Sequence, residues 1–167
     1  LGGHNAVFRL LKRIPPEMPL AEMQTRYALP HFEEAREKYF GGVPEEERPE
    51  TIGLRGPLLF GLAESERARR FLPALEQGDF ERAGLLMNRG HDGDRIRTPD
   101  GKSFRIDISD AALRSLADAG TPLEECPGVY GASSPVLDRL VDTARNAGAL
   151  GACLTGAGIA GAVLALC

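Results

Sequence analysis

This 167-residue sequence lacks an excess of positive charge and contains only three cysteines. Lys and Arg number 20 against 24 Asp and Glu, which leaves a formal net charge of −4. The chain therefore lacks the basic field that attracts nucleic acid, and no Lys/Arg run predicts contact with a membrane surface. The three cysteines, Cys126, Cys153 and Cys167, are too few and too widely spaced for a zinc site or a disulfide framework. We expect reduced thiols in a cytoplasmic protein.

The composition is otherwise that of an ordinary globular protein, with 43% hydrophobic and 26% charged residues. This length suits one well-buried domain, or one half of a two-domain enzyme. The chain starts at Leu1 rather than Met and shows no signal peptide, which predicts a fragment of a longer polypeptide.

Apolar periodicity and the placement of proline and glycine predict helices through most of the chain. They are expected at residues 6–14, 20–28, 32–40, 57–77, 80–89 and 110–119. Pro73 should kink or restart the fourth helix, and residues 90–95 should form a polar turn after the fifth. The sequence Thr98-Pro99-Asp100-Gly101 predicts an exposed hairpin that joins residues 95–97 to 103–106.

The last forty residues have the most regular pattern. A short strand is expected at 128–132, a helix from Pro135, and two strands at 150–155 and 161–166. This order predicts an α+β fold, a split β-α-β (ferredoxin-like) antiparallel sheet with helices on one face, preceded by a helical segment. Cys153 and Cys167 lie in the predicted strands and are expected to be small buried hydrophobes.

Three glycines, Gly156, Gly158 and Gly161, lie in an uncharged run near the end of the chain. Their spacing is that of a dinucleotide-binding loop, but such a loop needs a following helix and an acidic residue about 20 positions further on. This sequence runs only six residues past Gly161, so we do not expect a dinucleotide-binding loop here. Residues 150–167 are also just long enough for a membrane span, but their many Gly and Ala favour a strand, glycine loop and strand instead.

Three segments carry a resemblance to a known family. They are Leu86-Met87-Asn88-Arg89-Gly90-His91, then Ser134-Pro135-Val136-Leu137-Asp138, and finally Gly151-Ala152-Cys153-Leu154-Thr155-Gly156-Ala157-Gly158-Ile159-Ala160-Gly161. Their order resembles the C-terminal half of galactokinase-like sugar kinases of the GHMP family. The resemblance covers residues 57–167, with an inserted hairpin and helix at about 95–127, and leaves residues 1–56 as a helical lead-in.

The resemblance implies where the chain would contribute to catalysis. The loop near the transferred phosphoryl group and the sugar would comprise Thr155, Gly156, Ala157, Gly158, Ile159, Ala160 and Gly161. A wall of the cleft would draw on His91, Asp94, Arg95, Tyr130, Ser133 and Ser134. ATP and Mg²⁺ would be bound mainly by the N-terminal catalytic half of the same protein. Because the family's phosphate loop is absent from this sequence, the chain alone is expected to be inactive and to supply no catalytic residue.

Simpler interpretations of these residues stay open. The glycines could serve only a tight turn, Thr155 could merely end a strand, and Ser133 or Ser134 could be a helix cap. The His91-Asp92-Gly93-Asp94 segment lacks the further ligands of a calcium loop, and one histidine is not a zinc site, so no metal is expected. Ile159-Ala160 replaces the family's Phe-Gly pair, which could alter the loop and the substrate preference.

The leading hypothesis is the C-terminal domain of an ATP-dependent sugar kinase that phosphorylates a monosaccharide hydroxyl at C1. One alternative is a non-catalytic module on the same fold that senses sugar or nucleotide. A kinase of the same family that acts on a non-sugar alcohol is another. No nucleic acid or membrane partner is expected.

Overall fold

The fold, seen in a computed structural model that describes residues 4–156 and 161–167, is a mixture of helices and two small antiparallel sheets. The described helices are α1 (His4–Leu11), α2 (Leu20–Tyr27), α3 (Phe32–Phe40), α4 (Arg55–Glu76), α5 (Phe80–Asp94), α6 (Asp110–Asp118) and α7 (Pro135–Asn146). The strands are β1 (Glu17–Pro19), β2 (Thr51–Gly53), β3 (Gly151–Leu154) and β4 (Val163–Leu166). Short 3₁₀ turns occupy Glu45–Glu47 and Leu123–Glu125. The predicted α+β class is confirmed.

Local capping explains where several helices begin. The side chains of Asp79, Ser109 and Ser134 accept hydrogen bonds from backbone N–H groups three residues later, at the starts of α5, α6 and α7. Pro135 follows Ser134 at the first helical position, where its missing N–H costs nothing.

The hydrophobic core joins the first helix to the middle of the chain. Phe8 and Leu11 of α1 pack with Leu59 of α4 and Leu113 of α6, and all four are almost fully buried. The buried Arg55 reinforces this junction by donating to the carbonyl oxygens of Ile14 and Ile108, each at 2.9 Å. The predicted lead-in and the predicted insertion thus each contribute a helix to the same core.

Strand β3 lies against α5 at very short range. A Cβ added at Gly84 would lie 2.4 Å from the carbonyl oxygen of Leu150, and one added at Gly151 would lie 2.3 Å from the oxygen of Gly84. Strand β4 pairs antiparallel with β3, so that Gly151 faces Leu166 and Leu154 faces Val163. Helix α7 contacts both strands.

Several boundaries differ from the sequence-based expectations. Helix α5 continues through the predicted polar turn to Asp94, because its glycines serve close packing rather than a turn. A Cβ at Gly93 would lie 2.3 Å from the oxygen of Pro127. Helix α4 also runs on through Pro73 without a restart. The sheet of β1 and β2 was not predicted, whereas the hairpin at Thr98–Gly101 is present, with one bridge between Arg97 and Ser103.

The strand predicted at 128–132 is wrong, because this segment pairs with helix carbonyls instead of a strand, and Gly128 and Gly131 within it have φ angles of +71° and +75°. The N–H of Tyr130 donates to the oxygen of Gly93 at 2.8 Å, and that of Ser133 to the oxygen of Asp94 at 3.0 Å. Carbonyls of a last helical turn have no partner within the helix, so the segment satisfies them. The expected burial of Cys167 is also wrong, since this residue follows β4 and is exposed.

Candidate functional site

Helix α5 and the start of β3 are locked together by Asn88, near the middle of the helix. Its side-chain oxygen accepts from the backbone N–H of Ala152 at 3.0 Å, and its amide nitrogen donates to the oxygen of Leu150 at 3.1 Å. One bond is made within β3 and the other on Leu150, the residue just before it. Asn88 therefore fixes the start of β3 against α5, a few residues before the predicted glycine loop.

Arg145 of α7 adds a third element to this junction. Its Nη2 donates to the oxygen of Asn88 at 3.0 Å and to that of Ala152 at 3.3 Å, while Nη1 donates to Asp92 Oδ1 at 3.2 Å. A single guanidinium thus bridges α5, α7 and β3, using the several donors that arginine presents in one plane.

A buried carboxylate, Asp138, organises the next layer. Its Oδ2 accepts from the backbone N–H groups of Ile96 and Arg97 at 3.1 and 2.8 Å, and its Oδ1 accepts from Ser133 Oγ at 2.6 Å. Only 1% of Asp138 is exposed. Such a buried charge is tolerated because several donors surround it.

His91 lies against the same carboxylate but is neutral. Its Nε2 is 3.3 Å from Asp138 Oδ1, yet neither ring nitrogen makes a well-directed hydrogen bond. Burial lowers the pKa of His91 to about 4, and the nearby positive charges of Arg95 and Arg145 lower it further than Asp138 can raise it. His91 is therefore uncharged at neutral pH.

A groove of about 390 Å³ opens between α4, α5 and the sheet of β3 and β4. Two of the predicted cleft-wall residues, His91 and Asp94, line this groove. Burial raises the pKa of Asp94 to about 6, although the backbone N–H of Ala132 acts in the opposite direction. Beside it, Arg67 Nε donates to Glu64 Oε1 at 2.6 Å.

The other predicted cleft-wall residues lie away from the groove. Arg95 forms a paired contact with Asp142, with Nη1 donating to Oδ2 at 3.0 Å. The hydroxyl of Ser133 donates a hydrogen bond to Asp138, and Ser134 caps α7. Tyr130 is exposed and stacks on Phe60 with ring centroids 5.0 Å apart. The structure therefore separates a groove-lining pair from a supporting network.

Only part of the predicted phosphate-proximal loop can be described. The N–H of Thr155 donates to the oxygen of Ala162 at 2.9 Å, and its hydroxyl contacts the same oxygen at 3.3 Å. Gly156 has a φ of +64°, a conformation that side chains disfavour. Gly161 follows on the return side, whereas Ala157, Gly158, Ile159 and Ala160 lie outside the described residues.

Sequence reasoning missed the groove's α4 residues and the bridging role of Arg145. Glu64 and Arg67 do carry a weak signal, because residues three apart share a helix face. No sequence signal connects Arg145 to Ala152 or Asn88, since those contacts arise only when α7 packs on α5 and β3.

Fold and site thus define an α+β domain in which segments of α5 and α7 converge on β3, the strand that precedes the glycine-rich residues of the sequence. Residues 100–167 match the family model for the C-terminal domain of GHMP kinases. The match covers less than half of the chain; it indicates similarity to the C-terminal domain of GHMP kinases in that part and does not identify a galactokinase-like member. No curated protein and no solved structure matches the chain. None of the described helices is long and apolar enough to cross a membrane.

Proposed function

We propose that this chain is the C-terminal part of an ATP-dependent, galactokinase-like sugar kinase that phosphorylates a monosaccharide hydroxyl at C1. In the intact enzyme it supplies the glycine loop and the sugar-side wall of the cleft. The family match over residues 100–167 supports the kinase class. The observation that carries the finer proposal is the convergence of the three segments, in which Asn88 holds β3 and His91 lies against Asp138.

ATP and Mg²⁺ belong to this proposal through the family. Phosphoryl transfer depends on positioning and on charge stabilisation by metal and donors. Gly156 suits a close backbone approach to phosphate, since an added Cβ would meet no atom within 4 Å and its φ is positive. Among the described residues no group of three or more His, Cys, Asp or Glu could hold a metal ion. On the family resemblance we assign Mg²⁺ and most of the nucleotide to the N-terminal half, and the three scattered free cysteines are our ground for proposing a cytoplasmic location.

The test is a kinase assay of the full-length protein with ATP, Mg²⁺ and a panel of monosaccharides, followed through ADP release and sugar phosphate formation. A Gly158→Val substitution should lower kcat at least a hundredfold with little loss of fold, because a side chain would block the backbone's approach to phosphate. Gly42→Val is the matched control, since an added Cβ there meets no atom within 4 Å.

Full activity of the Gly158→Val variant would contradict the proposed role of the loop. Turnover of a non-sugar alcohol alone would keep the kinase class but refute the sugar. Binding of sugar or nucleotide without any turnover would favour the sensing module. The sequence upstream of Leu1 gives a second discriminator, because a Gly-Leu-Ser-Ser-Ser-Ala loop followed by an acidic residue is expected of the kinase.

A further inference from the structure

The groove between α4, α5 and the sheet has the size and lining of a small-molecule site. Its volume of about 390 Å³ lies in the lower part of the range usual for ligand pockets, roughly 300–1,000 Å³. Most of its surface is apolar, from Ala68, Phe71, Leu72, Leu86, Met87 and Leu164. Leu72 and Leu164 are 60% and 58% exposed, so apolar surface remains uncovered at the groove.

The charges of the ionisable side chains that line the groove do not sum to zero. Glu64 and Arg67 form an ion pair at 2.6 Å, which compensates both charges. His91 contributes no charge, because its pKa is lowered to about 4. The remaining charge is that of the Asp94 carboxylate, which forms no ion pair with any residue in the described part of the chain. The groove therefore carries one uncompensated negative charge.

The carboxylate of Asp94 also has unused hydrogen-bonding capacity. Its Oδ1 is buried and has no hydrogen-bond partner among the described residues. An unsatisfied buried acceptor on a charged group is costly, and a donor that reaches it recovers that cost. A cationic donor recovers more, because charge-assisted hydrogen bonds are the stronger kind.

The fully buried His91 is a second polar group on the same wall. It is 0% exposed and lines the groove, and neither ring nitrogen makes a well-directed hydrogen bond in the described structure, although Nε2 lies 3.3 Å from Asp138 Oδ1. A neutral imidazole offers one donor and one acceptor, so it tolerates a polar ligand beside Asp94 without adding charge.

We propose that this groove binds a small organic cation, a primary ammonium group on an aryl or alkyl body, with the ammonium on Asp94 and the body against Phe71, Leu72 and Leu164. Phe71 lines the groove and supplies aromatic surface for the apolar body. An anion would face the uncompensated carboxylate, even though Arg67 Nη2 lacks a partner, because the charge of Arg67 is already matched by Glu64. This inference rests on the groove alone and does not depend on the kinase proposal.

The test compares three probes of one shape on the full-length protein by isothermal titration calorimetry and saturation-transfer NMR. The probes are 2-phenylethylamine, which is cationic at neutral pH, the neutral 2-phenylethanol and the anionic phenylacetate. The amine should bind at least tenfold more tightly than the alcohol, and phenylacetate should bind most weakly. No catalytic readout is involved, so failure here would leave the kinase proposal standing.

Two substitutions separate the charge from the apolar surface. Asp94→Asn should reduce the affinity for the amine to that for the alcohol. The control Asp100→Asn, in the exposed hairpin, should leave the affinities for the amine and for the alcohol unchanged. Leu72→Ser should weaken binding of the amine and of the alcohol alike, and it should leave the fold intact because Leu72 is 60% exposed. If Asp94→Asn fails to fold, the probe series and Leu72→Ser decide the question.

Equal affinity for all three probes would overturn the proposal, as would an amine affinity that Asp94→Asn leaves unchanged. Tightest binding of phenylacetate would overturn it too and would identify Arg67 as the receptor. An amine affinity that survives Leu72→Ser would show that the groove is not where the amine binds.

Discussion

The close contact between α5 and β3 makes a quantitative prediction about Gly84. A Cβ there would meet three backbone atoms, the oxygen and carbon of Leu150 at 2.4 and 2.5 Å and the nitrogen of Gly151 at 2.9 Å. Backbone atoms cannot rotate away as the end of a side chain can, so helix and strand must separate. Overpacking of this kind costs about 3 kcal/mol, the upper part of its usual range.

The substitution Gly84→Ala also gains helix propensity, which offsets part of that cost. Alanine is favoured over glycine in a helix interior by about 1 kcal/mol. The net effect on the free energy of unfolding should be a loss of about 2 kcal/mol. The matched control is Gly61→Ala in α4, where an added Cβ meets no atom within 4 Å. That variant should gain up to about 1 kcal/mol.

Urea unfolding followed by far-UV circular dichroism measures both variants. With a slope of about 2 kcal/mol per M, the loss at Gly84 lowers the midpoint by about 1 M, and the gain at Gly61 raises it by up to about 0.5 M. A Gly84→Ala variant as stable as wild type, or stabilised like Gly61→Ala, would refute the short distance between α5 and β3.

Two further predictions concern the core and the buried titratable groups. Phe8→Ala should cost about 3–5 kcal/mol because Phe8 is fully buried, whereas Leu10→Ala, 51% exposed, should cost under about 1 kcal/mol, and equal losses in chemical denaturation would place α1 outside the core. Between pH 6.5 and 4 the imidazole of His91 binds a proton in the unfolded state but stays neutral in the folded state. Acidification in this range should therefore lower the free energy of unfolding by up to about 1.4 kcal/mol per pH unit through this group. Asp94 acts with the opposite sign between pH 6 and 3.8, since the folded state binds its proton more readily. Relative to wild type, His91→Gln should therefore gain stability on acidification and Asp94→Asn should lose it, and parallel curves of stability against pH would contradict both assignments.

The sequence predicted best those features that depend on a few neighbouring residues. The starts of α6 and α7 follow from Ser109 and from Ser134-Pro135, because a capping bond spans only three residues. The antiparallel pair β3 and β4 also follows from an apolar run interrupted by glycines. The family resemblance selected Asn88, His91 and Asp138 as parts of motifs, although it did not say which of them meet.

Prediction from local sequence was wrong where a residue contacts a part of the chain that is distant in sequence. Gly93 suggested a turn, yet it lies inside α5 because Pro127 and Phe60 approach it too closely for a side chain. The segment at 128–132 has strand-like residues but donates to helix carbonyls. The local sequence cannot distinguish these partners, because the choice depends on which backbone groups the fold brings beside the segment.

By itself the sequence determined the α+β class, the capped helix starts and the order of three motifs on the way to a glycine loop. These depend on propensity, capping and residue identity, which act over a few positions. Only the tertiary structure decided that Asn88 and Arg145 hold β3, that His91 is neutral and that Asp94 lines a groove without an ionic partner. Asn88 meets residues 62 and 64 positions away, and which side chains become buried together depends on how the helices pack on the sheet, so no local pattern encodes which residues will meet.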